Sequence, residues 1–331
     1  MPESERRRAY ALGVRRPTPT RYGGQMSTAP LLLFVHAHPD DETLATGVAL
    51  AHYSRAGARV HVLTCTLGDE GEVIPPELAH LAPDRDDVLG PYRRGELRET
   101  MRTLGVHERV LGEDPDSLTG AAYRDSGMAG TDENTVERAL CRAPLAEVTE
   151  AIREHIEELR PDAVITYDAT GGYGHPDHIR VHEATRVAVA GMPEAERPAL
   201  YVTLVPADVA ASGREWLREH VPASPQRDIV TIPSQDDPYP PSVVDRALIT
   251  HVVEGSAEDL ALRDKALRHH RTQVSVYDGF YVLSNDIAAR LAGAEYFTRI
   301  DPETGELRGR RPRNPENGPA LTSGDYEAGL L

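Results

Sequence analysis

Leu31-Leu-Leu-Phe-Val-His36 runs directly into Ala37-His-Pro-Asp-Asp-Glu42. The first part is a continuous apolar run, as expected of a strand buried on both faces. The second is a turn stiffened by Pro39. After it, Glu42 to Ala56 reads as a helix ended by Gly57. Strand, polar turn and helix in this order open a βαβ unit. The same alternation continues downstream: a strand over Arg59–Thr66, a helix over Tyr92–Leu104 closed by Gly105, and a short strand over Glu108–Leu111. A helix over Leu145–Leu159, a strand over Ala163–Tyr167 and a helix over Ile179–Ala190 follow. Strands alternating with helices of this length predict an α/β fold, a mostly parallel Rossmann-like sheet with helices on both faces.

Beyond about Arg197 the pattern changes. Leu200–Val205 and Asp228–Ile232 read as strands separated by a long polar stretch, and Ala257–His270 reads as a helix. A smaller C-terminal α+β portion is therefore expected. The organisation that follows is an extension over 1–30 outside the fold, a catalytic domain over 31–195 and a portion over 196–331 that completes the substrate pocket. Met26 reads as the natural start, because the first strand begins five residues later. The tail Asp301–Ser323, rich in Arg, Pro, Asn and Gly, reads as irregular.

The bulk properties narrow the partners. The 331 residues carry 36 Lys+Arg against 53 Asp+Glu, a formal charge of −17. Such a surface repels nucleic acid and anionic lipid. No apolar run is long enough to span a membrane, and the Arg-rich start has no apolar signal-peptide core, so a cytoplasmic location is expected. Two cysteines, Cys65 and Cys141, are too few for a disulfide framework or a Cys-rich zinc site. Nothing in the sequence specifies an oligomeric state.

Two loops carry the chemistry. In an open α/β sheet ligands bind beyond the carboxyl ends of the strands, where His38, Asp40, Asp41 and Glu42 stand after the first strand. Helix capping accounts for one carboxylate, not three, and gives no use for His38. A metal ion would use both group types, since imidazole nitrogen and carboxylate oxygen are good zinc ligands. The strand over Ala163–Tyr167 ends in a second such loop, Asp168-Ala-Thr-Gly-Gly-Tyr-Gly-His-Pro-Asp-His178. His-Pro-Asp occurs in both. No G-x-G-x-x-G is present, which argues against a dinucleotide loop and against a metal-free nucleotide-binding protein.

Together His-Pro-Asp-Asp-Glu and Gly-His-Pro-Asp-His resemble the motifs of the N-acetylglucosaminyl-phosphatidylinositol de-N-acetylase (PIG-L/LmbE-like) family. The likeness spans about Leu31 to Ile300. Thr64-Cys-Thr-Leu-Gly-Asp-Glu-Gly-Glu-Val73, Tyr92-Arg-Arg-Gly-Glu-Leu97, Arg124-Asp-Ser-Gly-Met-Ala-Gly-Thr131 and His270-Arg-Thr-Gln-Val274 are similar to its mycothiol-biosynthesis branch, which acts on N-acetylglucosaminyl-inositol. The resemblance implies one zinc held by His38, Asp41 and His178; two imidazoles and a carboxylate suit iron(II) as well. It implies Asp40 as general base, His175 as oxyanion stabiliser with Tyr173 assisting, and Asp177 as the group that orients His175. It points to Arg93, Asp125, Met128 and Glu72 for contact with an amino-sugar inositol. Without it, Arg93 and Glu96 read as a solvated helix pair and Met128 as packing; for His269, His270 and Gln273, at a helix end, capping is an equal alternative.

A related enzyme, the mycothiol S-conjugate amidase, shares both motifs and cleaves the same amide with a larger acyl group. Its second loop has proline where this sequence has Gly174, so Gly174 and Arg124-Asp-Ser-Gly-Met128 favour the deacetylase. A non-catalytic sugar- or metal-binding protein of the same fold is a further reading; Asp40 would then be idle. The N-terminal extension and a shortened stretch over Ala207–Pro240 depart from the family pattern.

Overall fold

The computed structural model describes residues 29–83, 87–112, 121–308 and 327–331. Of the expected extension over 1–30, residues 1–28, with Met26, lie outside them, as does most of the C-terminal tail.

The apolar run becomes β1 (Leu31–His36), every residue of it buried. Its side chains alternate between two cores, as the period of two requires. Leu33 and Val35 enter one core, with Val148, Ile152, Val181 and Ala184. Leu32 and Phe34 enter the other, with Leu50, Leu97, Met101 and Ala266. Helices α1 (Asp41–Arg55) and α2 (Leu89–Leu104) cover that second face. Helices α3 (Leu145–Leu159) and α4 (Pro176–Ala190) cover the first.

With β2 (Arg59–Thr64), β3 (His107–Val110), β4 (Ala163–Thr166) and β5 (Ala199–Pro206), β1 forms a parallel run in the order β3-β2-β1-β4-β5. The chain leaves β1 toward β2 and β3, then returns to β4 on the other side. The order therefore reverses between β1 and β4, which pair directly through Leu32↔Ala163 to Phe34↔Ile165. A crevice opens at the carboxyl ends of strands at such a reversal, and the two His-Pro-Asp loops flank it.

The segment after Pro206 corrects the sequence reading. The stretch read as polar connection is helix α5 (Ala207–His220). Its Leu217 packs with Phe280, Val282 and Ala288 of a three-stranded antiparallel sheet. No strand forms over Asp228–Ile232: only Thr231 makes an isolated bridge, to Ile287. The β-branched residues there serve one hydrogen-bond pair and side-chain packing rather than a ladder. Strands β6 (Val243–Val244), β7 (His251–Glu254), β11 (Ala294–Arg299) and β12 (Glu327–Ala328) extend the main sheet to nine strands among the described residues. Strands β8 (Ser275–Val276), β9 (Phe280–Val282) and β10 (Ala288–Arg290) make the small sheet. Helix α6 (Ala257–Leu267) packs on α1 and α2 and stops short of His270, which is free to turn inward. No helix of the described residues is long and apolar enough to cross a membrane.

Helix α1 is broken at Thr46 (φ −139°, ψ 15°). The break frees backbone N–H groups, and a carboxylate from β11 takes them: Val48 N and Ala49 N donate to Glu295 at 2.8 and 2.9 Å. Burial pushes the Glu295 carboxyl from 4.5 up to about 7, against the pull of these donors. A carboxyl raised on folding contributes stability that is complete below its unfolded value and lost as pH rises through its folded value. Urea unfolding of wild type and Glu295→Gln at pH 4.5 and pH 7.5 tests this. The wild type's stability relative to the variant falls between the two pH values; a pH-independent difference would contradict it.

Candidate metal centre

Three donor atoms from the two loops converge. His38 Nδ1 lies 3.2 Å from Asp41 Oδ2 and 3.3 Å from His178 Nε2, and His178 Nε2 lies 3.2 Å from Asp41 Oδ2. A small divalent cation held tetrahedrally by bonds of about 2.0–2.1 Å needs donor separations of about 3.3 Å. The three residues expected as ligands therefore form one near-equilateral face of such a site, with the fourth position open.

Hydrogen bonds turn the lone pairs of both imidazoles inward and hold the carboxylate in place. His178 Nδ1 lies 3.1 Å from the Gly171 carbonyl, which can only accept, so Nδ1 carries the proton and Nε2 the lone pair. His38 Nε2 lies 3.1 Å from Asp177 Oδ2, which leaves His38 Nδ1 as donor atom. Asp41 Oδ2 accepts from Tyr167 OH at 2.8 Å and from His38 N at 2.9 Å. A carboxylate behind a ligating histidine fixes its tautomer and raises its basicity.

Burial and charge oppose one another here. Burial works against a charge on His38, yet Asp125, Asp177 and Asp41 lift its pKa well above the ordinary histidine value. Burial alone would raise Asp41, but His178 and His38 hold it well below the usual carboxylate range. Such a carboxylate-rich buried cluster is an environment that a cation relieves.

His175 stands beside this face rather than in it. The nitrogens of His38, His175 and His178 all lie within 4.8 Å of one another. His175 caps α4, however, with Nδ1 accepting from Asp177 N at 3.2 Å, so its ring proton sits on Nε2. That makes Nε2–H a hydrogen-bond donor beside the cluster, 3.9 Å from Asp125 Oδ1. The expectation that the Asp177 carboxylate orients His175 needs correction. That carboxylate is turned to His38 and is held by Ser126 N at 2.9 Å and by the Ser126 hydroxyl. Only the backbone of Asp177 reaches His175, because the N-cap geometry of α4 aims its N–H at the ring.

Asp40, the expected base, adjoins the ligand face with 13% of its side chain exposed. Burial pushes its carboxyl up to about 7, Arg93 pulls it back and Asp41 adds to the rise. Its backbone has φ 121°, ψ −34°, in the region that side-chain-bearing residues avoid. Arg93 and Glu96 are buried, not a solvated pair: Arg93 Nη1 and Nη2 donate to the carbonyls of Gly68 and Pro39, and Glu96 accepts from Thr272 N and Oγ1. His270 is no cap either; its Nε2 lies 2.9 Å from the fully buried Glu42.

Asp125 is buried in the cluster, 3.4 Å from His38 Nε2. Tyr173 is half-exposed above it, its ring 5.1 Å from His178 and 6.1 Å from His175. Met128 is exposed on the turn that carries Asp125, and Glu72 is exposed on the 68–74 loop. Ser126, Tyr167 and the Glu42–His270 pair escaped the sequence reading. Ser126 lies inside a stretch singled out for its neighbours, and Tyr167 ends a predicted strand. A hydroxyl among larger chemistry carries no signal of its own. Cys65 is a buried thiol, its pKa pushed up by burial.

A metal-affinity measurement separates the two roles of Asp177. Wild type binds one divalent ion per chain, and His38→Ala or His178→Ala abolishes tight binding. Asp177→Ala weakens affinity about 10–100-fold, read by chelator competition. Unchanged affinity in Asp177→Ala would restore the reading in which this carboxylate serves His175.

Residues 33–189 match the sequence profile of the GlcNAc-PI de-N-acetylase (PIG-L) family. A protein of Streptomyces avermitilis named 1D-myo-inositol 2-acetamido-2-deoxy-alpha-D-glucopyranoside deacetylase is 43% identical over 288 residues, covering 84% of this chain and 94% of its own. A protein of the same name from Mycolicibacterium vanbaalenii is 44% identical over 286 residues, 82% of this chain and 91% of its own. Among solved structures, the N,N'-diacetylchitobiose deacetylase of Pyrococcus horikoshii superposes with a TM-score of 0.45 at 19% identity, over 74% of this chain and 71% of that one. At such identity over most of this chain and nearly the whole length of those relatives, the chain belongs to the GlcNAc-PI de-N-acetylase family.

Proposed function

We propose that the protein is a zinc-dependent N-deacetylase that hydrolyses the acetamide of N-acetylglucosaminyl-inositol, releasing acetate and glucosaminyl-inositol. The donor triangle of His38 Nδ1, Asp41 Oδ2 and His178 Nε2, at 3.2–3.3 Å on each side with Asp40 adjacent, carries this reading. Two imidazoles, one carboxylate and an open position are the donor set of a catalytic zinc. Zinc, when bound, polarises a carbonyl and lowers the pKa of water.

The chain's own groups supply the proton traffic. Asp40 takes a proton from the attacking water at a carboxylate oxygen. As the C–O bond forms, charge develops on the amide oxygen, and the Nε2–H of His175 is the donor beside it. Asp40 then returns its proton to the departing nitrogen, and the C–N bond breaks to acetate and amine. To Asp125, in the cluster, and to Tyr173, Met128 and Glu72, all exposed, we assign the contacts with the amino-sugar inositol. Names of the similar proteins support the substrate.

Gly174 favours acetamide over the bulkier conjugate. Its φ is 94°, which proline, locked near −65°, cannot adopt. The second loop therefore has a path that the Tyr-Pro-His loop of the conjugate amidases cannot follow.

Acetate release from N-acetylglucosaminyl-inositol by zinc-loaded protein, set against cleavage of a bulky mycothiol S-conjugate, tests the proposal. The acetylated pseudo-disaccharide is the better substrate by kcat/KM. Asp40→Ala lowers kcat by about 10²–10⁴-fold with metal content unchanged. Preference for the conjugate would make the protein an amidase, and no turnover of either would leave a binding protein.

A further inference from the structure

Arg93 is 3% exposed, and both of its terminal nitrogens are engaged by backbone carbonyls. One of those carbonyls belongs to Pro39, whose oxygen accepts from Arg93 Nη2 at 2.6 Å. The N–H at the other end of that same peptide, Asp40 N, donates to Glu42 Oε2 at 2.9 Å. The Pro39–Asp40 peptide is thus held at its oxygen by a buried cation and at its nitrogen by a buried anion, along its own dipole. Fixing the plane fixes φ of Asp40, and with it the direction in which the carboxylate leaves the chain.

Both jaws rest on α2. Arg93 Nη1 is anchored on Gly68 O at 2.7 Å, and the 68–71 loop is cut to fit it. A Cβ on Gly68 would lie 2.0 Å from Nη1 and one on Gly71 2.6 Å. Glu42 is held through Oε1 by His270 Nε2 at 2.9 Å, which lies 3.1 Å from Thr100 Oγ1. The turn bearing His270 is tied to α2 once more, by Glu96 accepting from Thr272 N at 2.9 Å. Arg93, Glu96 and Thr100, at i, i+3 and i+7, share one face of α2.

The geometry points to Arg93 and Glu42 as a pair of positioning residues that clamp the Pro39–Asp40 peptide and hold Asp40 in a strained backbone conformation aimed at the reacting centre. This rests on the reading of Asp40 as the base. On this account Arg93, and with it the stretch Tyr92-Arg-Arg-Gly-Glu-Leu97, serves the base. A carboxylate at φ 121° is a conformation that persists only when its surroundings over-determine it.

Two measurements test the clamp. The first needs no activity: melting of metal-free Asp40→Gly and Asp40→Ala. Glycine tolerates this φ and alanine does not. The glycine variant is therefore expected to melt about 2–4 °C higher. In an Arg93→Met or Glu42→Gln background the peptide can relax, and the gap closes. A gap of the same size in all backgrounds would overturn the clamp.

The second is kinetic, on zinc-loaded protein with metal content checked. Arg93→Met and Glu42→Gln each lower kcat by about 10²-fold, with KM changed less than about threefold. In Asp40→Asn neither substitution causes further loss, because the group they aim is gone. Arg93→Met that raises KM, keeps kcat and acts equally in Asp40→Asn would make Arg93 a substrate contact and overturn the inference. Should Arg93→Met not fold, Arg93→Lys, whose single ammonium cannot span both carbonyls, carries the same comparison. Near-wild-type turnover in Asp40→Asn alone would remove the base assignment instead; the melting comparison still decides the clamp.

Discussion

Five buried or nearly buried carboxylates, Asp40, Asp41, Glu42, Asp125 and Asp177, crowd the carboxyl ends of β1 and β4. Charges removed from water must be paired or hydrogen-bonded, and much of the surrounding architecture answers that demand. Glu42 has His270, Asp40 has Arg93, and Asp177 has Ser126 and His38. Asp41 has Tyr167 and the two histidines of the donor face. His175, its Nδ1 taken by Asp177 N, has its pKa lowered by burial from 6.5 to about 4 and so adds no cation. The negative charge left over at the donor triangle is what a divalent ion would balance.

That arrangement depends on a topological fact. Since the strand order reverses between β1 and β4, the loops after them open onto one crevice, though 140 residues separate His38 from His178. Either loop alone offers an incomplete set of ligands. Across the reversal, one gives an imidazole and a carboxylate and the other a second imidazole.

Much of this was legible in the sequence, and the reasons differ by feature. The strand Leu31–His36 and the helix Leu145–Leu159 are read correctly to the residue, because the one is an unbroken apolar run and the other carries an unbroken stripe of Val148, Ile152 and Ile156 between Pro144 and Pro161. Helix α5 is missed because its buried face amounts to Arg214 and Leu217, too little for a period of 3.6 to stand out. A metal site is legible in the matching His-Pro-Asp motifs, while the choice of His38, Asp41 and His178 comes from the family resemblance. The partner of Asp177 is not legible, since a one-residue change in where a carboxylate points leaves no trace in spacing. Arg93 lies between Leu89 and Leu97 on the apolar stripe of α2, with Glu96 at its edge, and their charge alone suggests solvent. They are buried because the 68–74 loop and the 270–274 turn fold over α2, and contacts of that range have no local signature.

The neighbouring carboxylates of Asp40 and Asp41 point in different directions, and the strained backbone is what separates them. Asp41 is N1 of α1 and keeps helical geometry, with its carboxylate on the donor face. Asp40, the residue before it, would in an ordinary N-cap fold its side chain back onto the N2 and N3 amides. It makes no such bond. Glu42 occupies the Asp40 N–H instead, and the backbone turned to φ 121° carries the Asp40 side chain off the helix end. The helix thereby forgoes a side-chain cap, about 1 kcal/mol, and carries strain of similar size. In return the Asp40 carboxylate is left off the donor face, free for the proton transfer proposed for it.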